Sequence, residues 1–119
     1  MKKAQVEIVC RDNRYVGTVP VHVQVPGYLV GPGLAVTKIA YVYDGKIDHL
    51  CDDWNVTHIP SGYCAAGSFE LRRQAAACAE RLLALADWTQ DMRDVGRELK
   101  GQRFDYWARR KLESECSKL

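Results

Sequence analysis

The chain has 119 residues and a formal net charge of +2, with 47% apolar and 27% charged residues. This composition is typical of an ordinary globular protein and argues against long disorder, a fibrous repeat or a strong whole-molecule attraction to nucleic acid. We expect one domain over residues 1–119, because a chain of this length has room for a single core.

The first residues and the cysteines suggest where the protein works. No apolar stretch follows Lys2 and Lys3, and no apolar run approaches the roughly 20 residues that cross a bilayer. We therefore expect neither a cleavable secretion signal nor a membrane partner. Five cysteines are an odd number for a disulfide framework, so we expect a cytoplasmic protein.

Two strands are predicted near the start. Val6, Ile8 and Cys10 alternate with polar residues, which is the pattern of a strand with one buried face. Residues 19–25 place valines on one face, and because Pro20 has no N–H to donate, this strand should lie at a sheet edge or begin there. Residues 26–33 are dense in glycine and proline, so a loop is predicted.

A third strand is predicted over residues 34–43, which are rich in β-branched and aromatic residues and end at a hairpin signal, Asp44-Gly45. Two interpretations of the following segment remain open. Residues 46–51 can pair straight back across the turn, or they can bulge out so that residues 54–59 supply the main partner. A turn at residues 60–62 and a short strand over residues 63–66 follow.

Helices are predicted for the rest of the chain. Ser68 is a candidate N-cap with Glu70 in the first turn, and a long helix should run over residues 68–86. Its apolar stripe is formed by Leu71, Ala75, Cys78, Ala79, Leu82 and Ala86. A second helix is predicted over residues 89–101, with Met92, Val95 and Leu99 inward, and a third over residues 103–115.

Together these elements predict an α+β domain. Its antiparallel sheet of four or five strands, over residues 4–66, is packed on one face by one long helix, and two short C-terminal helices complete the helical part, residues 69–116.

A metal site is one interpretation of the polar segment at residues 49–58. His49, Cys51, His58 and Cys64 have the ligand atoms that zinc prefers. Their spacing matches no common zinc pattern, since the chain has no Cys-x-x-Cys and no His-x-x-x-His pair. We expect no metal.

An enzyme is a second interpretation. Cys64 could act as a nucleophile with His58 as its base, oriented by Asp52 or Asp53. No nucleophile elbow, zinc-protease helix or phosphate-binding loop is present. We therefore expect no catalytic residues and no cofactor.

Nucleic-acid binding is a third interpretation. Residues 103–111 interleave aromatic and basic side chains. Helical spacing places Phe104 and Trp107 inward with Leu112, which would leave Tyr106, Arg109 and Arg110 outside. The exposed side of the sheet, together with Arg72 and Arg73, is the better candidate for such a surface.

Protein binding is favoured by a set of aromatic and hydrogen-bonding residues that exceeds what a small core needs, because aromatic anchors are typical of interfaces. The set is Tyr41, Tyr43, Asp52, Asp53, Trp54, His58 and Tyr63.

Residues 34–86 carry a resemblance to a group of known proteins. The relevant residues are Leu-Ala-Val-Thr-Lys at 34–38, Trp-Asn-Val-Thr-His-Ile-Pro-Ser-Gly at 54–62, Phe69, and the Ala75-Ala76 pair. This segment resembles small accessory proteins encoded by phages and plasmids, in which two strands ending in such a turn lead into an alanine-rich helix. Some phage proteins of this size are anti-CRISPR proteins, which inhibit host defence by binding a host complex.

The resemblance implies a non-enzymatic binding protein of a phage or other mobile element, working in the host cytoplasm. Its expected partner is a host protein or ribonucleoprotein complex, with nucleic acid as the alternative, and the oligomeric state is left open. The predicted partner-binding residues are Asp52, Asp53, Trp54, His58, Tyr63, Arg72 and Arg73.

Overall fold

The computed structural model describes residues 1–14 and 20–119, and within those ranges the chain forms five strands followed by three helices. The strands are β1 (Lys2–Arg11), β2 (Pro20–Gly31), β3 (Leu34–Tyr43), β4 (Lys46–His58) and β5 (Cys64–Phe69). The helices are α1 (Arg72–Leu83), α2 (Met92–Gly101) and α3 (Tyr106–Cys116). The predicted α+β class with an antiparallel sheet is confirmed. None of the helices in the described ranges is long and apolar enough to cross a membrane.

The strands lie side by side in chain order, and each neighbouring pair is antiparallel. Pro20 is the first residue of β2, as predicted, whereas Val19 lies outside the described residues. The predicted loop over residues 26–33 is too long, because β2 continues to Gly31 and the turn is formed by Pro32 and Gly33. Gly27 is needed for close packing instead of a turn, since a Cβ there would come within 2.9 Å of the Val36 carbonyl oxygen.

The hairpin between β3 and β4 confirms the predicted turn. Asp44 and Gly45 have φ values of 54° and 75°, as a type I′ turn requires. The Asp12 carboxylate accepts hydrogen bonds from their backbone N–H groups, at 2.9 and 2.6 Å. The two interpretations of residues 46–59, direct pairing and a bulge, are each partly correct. β4 pairs straight back across the turn, and the β3–β4 register also shifts twice along the hairpin.

The two faces of the sheet are buried differently. On one face α1 packs against a core that includes Leu34, Val36 and Val56, and the small residues of its stripe allow close contact. On the other face the sheet curls until β1 reaches the turn after β4, where the Val9 N–H donates to the Gly62 carbonyl at 3.0 Å. This curl encloses a second cluster, formed by Val6, Ile8, Val25 and Ala35.

The predicted long helix over residues 68–86 is wrong, because α1 has 12 residues. Ser68 does not cap it. β5 runs on through the buried Phe69, and the Ser68 hydroxyl donates to the Asp53 carboxylate at 3.3 Å. The helix starts after Leu71, whose N–H donates to the Gln74 side chain at 3.0 Å.

The other two helices also begin later than predicted. Their N-caps are aspartates, as Asp91 accepts from the Asp94 N–H and Asp105 from the Ala108 N–H, both at 2.9 Å. α2 ends at Gly101 as predicted. Carboxylate caps at these two positions shorten both helices at their N-termini.

Candidate functional site

The predicted partner-binding residues do not form one surface. Trp54, Arg72 and Arg73 line a common groove, whereas Asp53 lines a neighbouring polar pocket. Asp52 is exposed on β4, and Tyr63 is exposed at the turn before β5. The groove is therefore the site at which three of the predicted residues meet.

This groove, which we call the Trp54 groove, lies where α1 crosses β4 and has a volume of about 510 Å³. The α1 side is formed by Arg72, Arg73, Ala76, Ala77 and Glu80, and the rest of the lining by Met1, Trp54 and Leu71. The alanines leave room above the sheet, so the groove is open enough for a partner side chain or loop.

Two aromatic rings lie side by side at the groove, and each ring contacts one cation. The Lys38 Nζ lies 4.5 Å from the centroid of the Trp54 ring, and the Arg72 Cζ lies 4.2 Å from the centroid of Tyr28. The two rings are 6.1 Å apart and tilted by 50°. Attraction between the cations and the ring faces stabilises this arrangement of the four side chains.

The groove is electropositive. Among the described residues Lys38 and Arg72 form no ion pair. Lys38 donates to the Asp52 carbonyl oxygen at 2.8 Å, and Arg73 donates to the main-chain oxygen of Leu119 at 3.3 Å. An acidic ligand can therefore pair with Arg72 without first breaking an ion pair.

His58 is not available to a partner, because its side chain is 0% exposed. Its Nε2 lies 2.9 Å from the Gln90 carbonyl oxygen and its Nδ1 lies 2.7 Å from the Ser61 Oγ. A carbonyl only accepts, so Nε2 carries the hydrogen and Nδ1 accepts from Ser61. The imidazole holds the turn after β4 against the segment before α2, and its predicted surface role is wrong.

The proposed zinc ligands are not assembled. His49 lies on the exposed part of β4, where its ring stacks on Tyr41 at 4.9 Å and Nδ1 lies 2.8 Å from Asp48. His58 is buried at the other end of the same strand. In residues 1–14 and 20–119 no group of three His, Cys, Asp or Glu residues could hold a metal ion.

The proposed Cys64–His58 pair is not formed either, since both nitrogens of the imidazole are already hydrogen-bonded. Part of Cys64 reaches solvent, yet burial around the thiol raises its pKa above the ordinary value, even though the Arg109 charge acts in the opposite direction. A raised pKa disfavours the nucleophilic thiolate.

The sheet surface predicted to bind nucleic acid is only partly open, because α1 packs on one face and the curl encloses an apolar cluster on the other. Exposed sheet residues remain on β3 and β4, among them Tyr41, Tyr43 and Leu50. The predicted packing of α3 needs a correction. Trp107 is 75% exposed, beside an exposed Tyr106. The buried stripe of α3 contains Leu112, Glu113 and Cys116, and Trp107 points away from it.

Tyr28 and Lys38 were not predicted as site residues. Lys38 lies directly opposite Trp54 in the β3–β4 register, and Tyr28 lies opposite Val36 on the neighbouring pair of strands. Regular pairing from the Asp44-Gly45 turn would place Cys51 opposite Lys38, so cross-strand pairing alone does not predict the contact between Lys38 and Trp54.

Comparison of the chain with protein-family models, with curated proteins and with solved structures gives no match.

Proposed function

We propose that this is a non-enzymatic binding protein of a phage or other mobile element, which inhibits a host macromolecular complex by seating an acidic surface of that complex in the Trp54 groove. The observation that supports the proposal is the row of Lys38, Trp54, Tyr28 and Arg72, in which two adjacent rings are flanked by a cation at each end. The resemblance of residues 34–86 to phage and plasmid accessory proteins supplies the biological setting.

The chemistry of the row suits protein recognition. Tryptophan, tyrosine and arginine are the residues that most often dominate interface energies. Each cation–π contact contributes about 0.5–2 kcal/mol, so the row is held in place before a partner arrives. A preorganised surface loses less side-chain entropy on binding, which leaves more of the contact energy as affinity.

The charge of the groove selects the partner. Three basic side chains lie at the groove, and Glu80 is the acidic residue in its lining. An acidic loop or helix of a host protein would pair with Arg72 and Arg73 while an apolar side chain packs on Trp54. Steering by opposite charges also raises the rate of association.

A capture experiment with tagged protein in bacterial lysate tests this proposal. The capture is done with and without nuclease at two salt concentrations, and bound proteins are identified by mass spectrometry. We expect a stoichiometric protein partner that survives nuclease and is weakened, but not released, by the higher salt.

Variants then locate the surface. Trp54→Ala and Arg72→Ala should each weaken capture at least tenfold, about 1.4 kcal/mol, with melting curves that still show a folded protein. Trp107→Ala is the matched control, because this tryptophan is 75% exposed and lies on α3, outside the groove lining. If Trp107→Ala abolishes capture and Trp54→Ala does not, the groove is not the interface.

Single-stranded nucleic acid is a second candidate, favoured by the same row, because stacking rings beside cations also hold bases and phosphates. This function predicts an affinity that falls steeply with salt and a partner that nuclease removes. Nuclease treatment therefore separates the two candidates.

A further inference from the structure

A second pocket lies between β5, α2 and α3, on residues that the Trp54 groove does not use. Its volume is about 300 Å³, and we call it the Arg109 pocket. The apolar lining is formed by Ala65, Trp88, Met92, Leu99 and Phe104, and the polar lining by Cys64, Asp105, Tyr106 and Arg109. Trp88 is 2% exposed, so the pocket has a firmly packed floor.

Arg109 is the unusual member of this lining. It is half-buried, and its Nε is buried without a hydrogen-bond partner. Within residues 1–14 and 20–119 its guanidinium forms no ion pair, and its Cζ lies 5.6 Å from the centroid of the Tyr106 ring. Since a partly buried cation without a counter-ion is unfavourable, an anionic ligand would be stabilised at this position.

Two carboxylates lie near Arg109 in the chain without forming an ion pair with it. Asp105, which also lines the pocket, accepts the Ala108 N–H at 2.9 Å as the helix N-cap. Glu113 accepts the Gly67 N–H at 2.8 Å and faces Arg110 at 3.4 Å. Among the described residues no carboxylate therefore lies within ion-pair distance of the Arg109 guanidinium.

We propose that the Arg109 pocket binds a small organic carboxylate with an apolar body. The carboxylate accepts hydrogen bonds from the Arg109 guanidinium, whose planar fork matches its two oxygens. The apolar body packs on Trp88, Leu99 and Phe104. The volume lies at the lower end of the roughly 300–1,000 Å³ range of ligand pockets, which suits a single-ring or short-chain acid. This site is independent of the proposed function.

The test uses three probes that distinguish the contribution of the carboxylate charge to binding from that of the apolar body. They are 3-phenylpropanoate, its uncharged amide 3-phenylpropanamide, and acetate, each titrated into the folded chain. Binding is followed by two-dimensional ¹H–¹⁵N NMR at the Ala65 amide and the Trp88 indole. We expect saturable binding of 3-phenylpropanoate, at least tenfold tighter than that of either other probe.

Variants of Arg109 measure the contribution of the guanidinium to binding separately from that of the apolar lining. Arg109→Gln should reduce the acid-to-amide preference at least tenfold, and Arg109→Lys should retain part of it because it keeps the charge. Lys111→Gln is the matched control, since it removes an exposed charge from the same helix and should leave binding unchanged.

Equal affinity for acid and amide would overturn the proposal, as would wild-type binding by Arg109→Gln or no saturable binding of the acid at millimolar concentration. If Arg109→Gln does not fold, the acid-to-amide ratio of the unaltered chain and the Arg109→Lys variant still decide the question.

Discussion

Replacing His58 with alanine should destabilise the fold and should not remove a partner contact. The imidazole is fully buried, bonded to Ser61 and Gln90, and its ring lies 6.0 Å from that of Trp88. Alanine would leave the Ser61 hydroxyl and the Gln90 carbonyl without this partner and would open a cavity beside the indole. The structure therefore predicts a loss of stability from this change.

The size of the loss follows from these contacts. Two lost hydrogen bonds contribute about 2 kcal/mol and the cavity at least about 1 kcal/mol, so we expect about 3 kcal/mol in the free energy of unfolding. Domains of this size are stable by about 5–15 kcal/mol, so this is a large fraction of the total. The melting temperature should fall by roughly 10 °C.

Urea unfolding followed by circular dichroism measures this loss, and His49→Ala is the matched control. His49 lies on the same strand but is exposed, so its replacement should change stability by less than about 0.5 kcal/mol. If His58→Ala is as stable as His49→Ala but loses partner capture, the imidazole faces the partner and is not a buried structural group.

Other predictions concern backbone, thiols and pH. Gly33→Ala should lower the free energy of unfolding, measured in urea, by more than about 3 kcal/mol, because φ is +88° and a Cβ would collide with the backbone before α2. Gly45→Ala should lower it by about 1 kcal/mol, because φ is +75° but no atom lies within 4 Å of the added Cβ. Cys78 and Cys116 are both buried, and burial raises the pKa of Cys78 to about 12. Mass spectrometry should therefore find both cysteines unalkylated at neutral pH until urea unfolds the chain. Although burial alone would raise the pKa of Asp12, backbone N–H donors lower it below its ordinary value. The ionised Asp12 carboxylate therefore stabilises the fold fully above the ordinary aspartate pKa. This stabilisation is lost as the pH falls through the lowered pKa of the folded state, and Asp12→Asn should make stability less dependent on pH in this acidic range.

Sequence patterns over a few residues correctly predicted the elements whose structure depends on neighbouring residues in the chain. The alternation around Val6 and the Asp44-Gly45 turn were sufficient for β1 and for the β3–β4 hairpin. The predicted loop over residues 26–33 was too long because Gly27 serves a contact with Val36, which belongs to another strand. The start of α1 was wrong for a similar reason, since burial of Phe69 in the core extends β5 past the candidate cap at Ser68.

The candidate site was only partly predictable because it depends on strand register. Tyr43 pairs with Lys46 beside the turn, and regular pairing from there would place Cys51 opposite Lys38. Two register shifts bring Trp54 to that position instead, which creates the contact between its ring and the Lys38 ammonium. Bulges of this kind leave no reliable local signal, so the sequence identified Trp54 without its partner.

The two sites can be tested against each other, because the Trp54 groove and the Arg109 pocket share no lining residue. Substitutions at separate sites without common partners act independently. Trp54→Ala should therefore abolish partner capture and leave the binding of 3-phenylpropanoate unchanged, whereas Arg109→Gln should do the reverse. Loss of both activities from either substitution would mean that the variant is unfolded or that the sites are coupled, and melting curves distinguish these two cases. If the folded variants each lose one activity only, the protein has two separate binding sites.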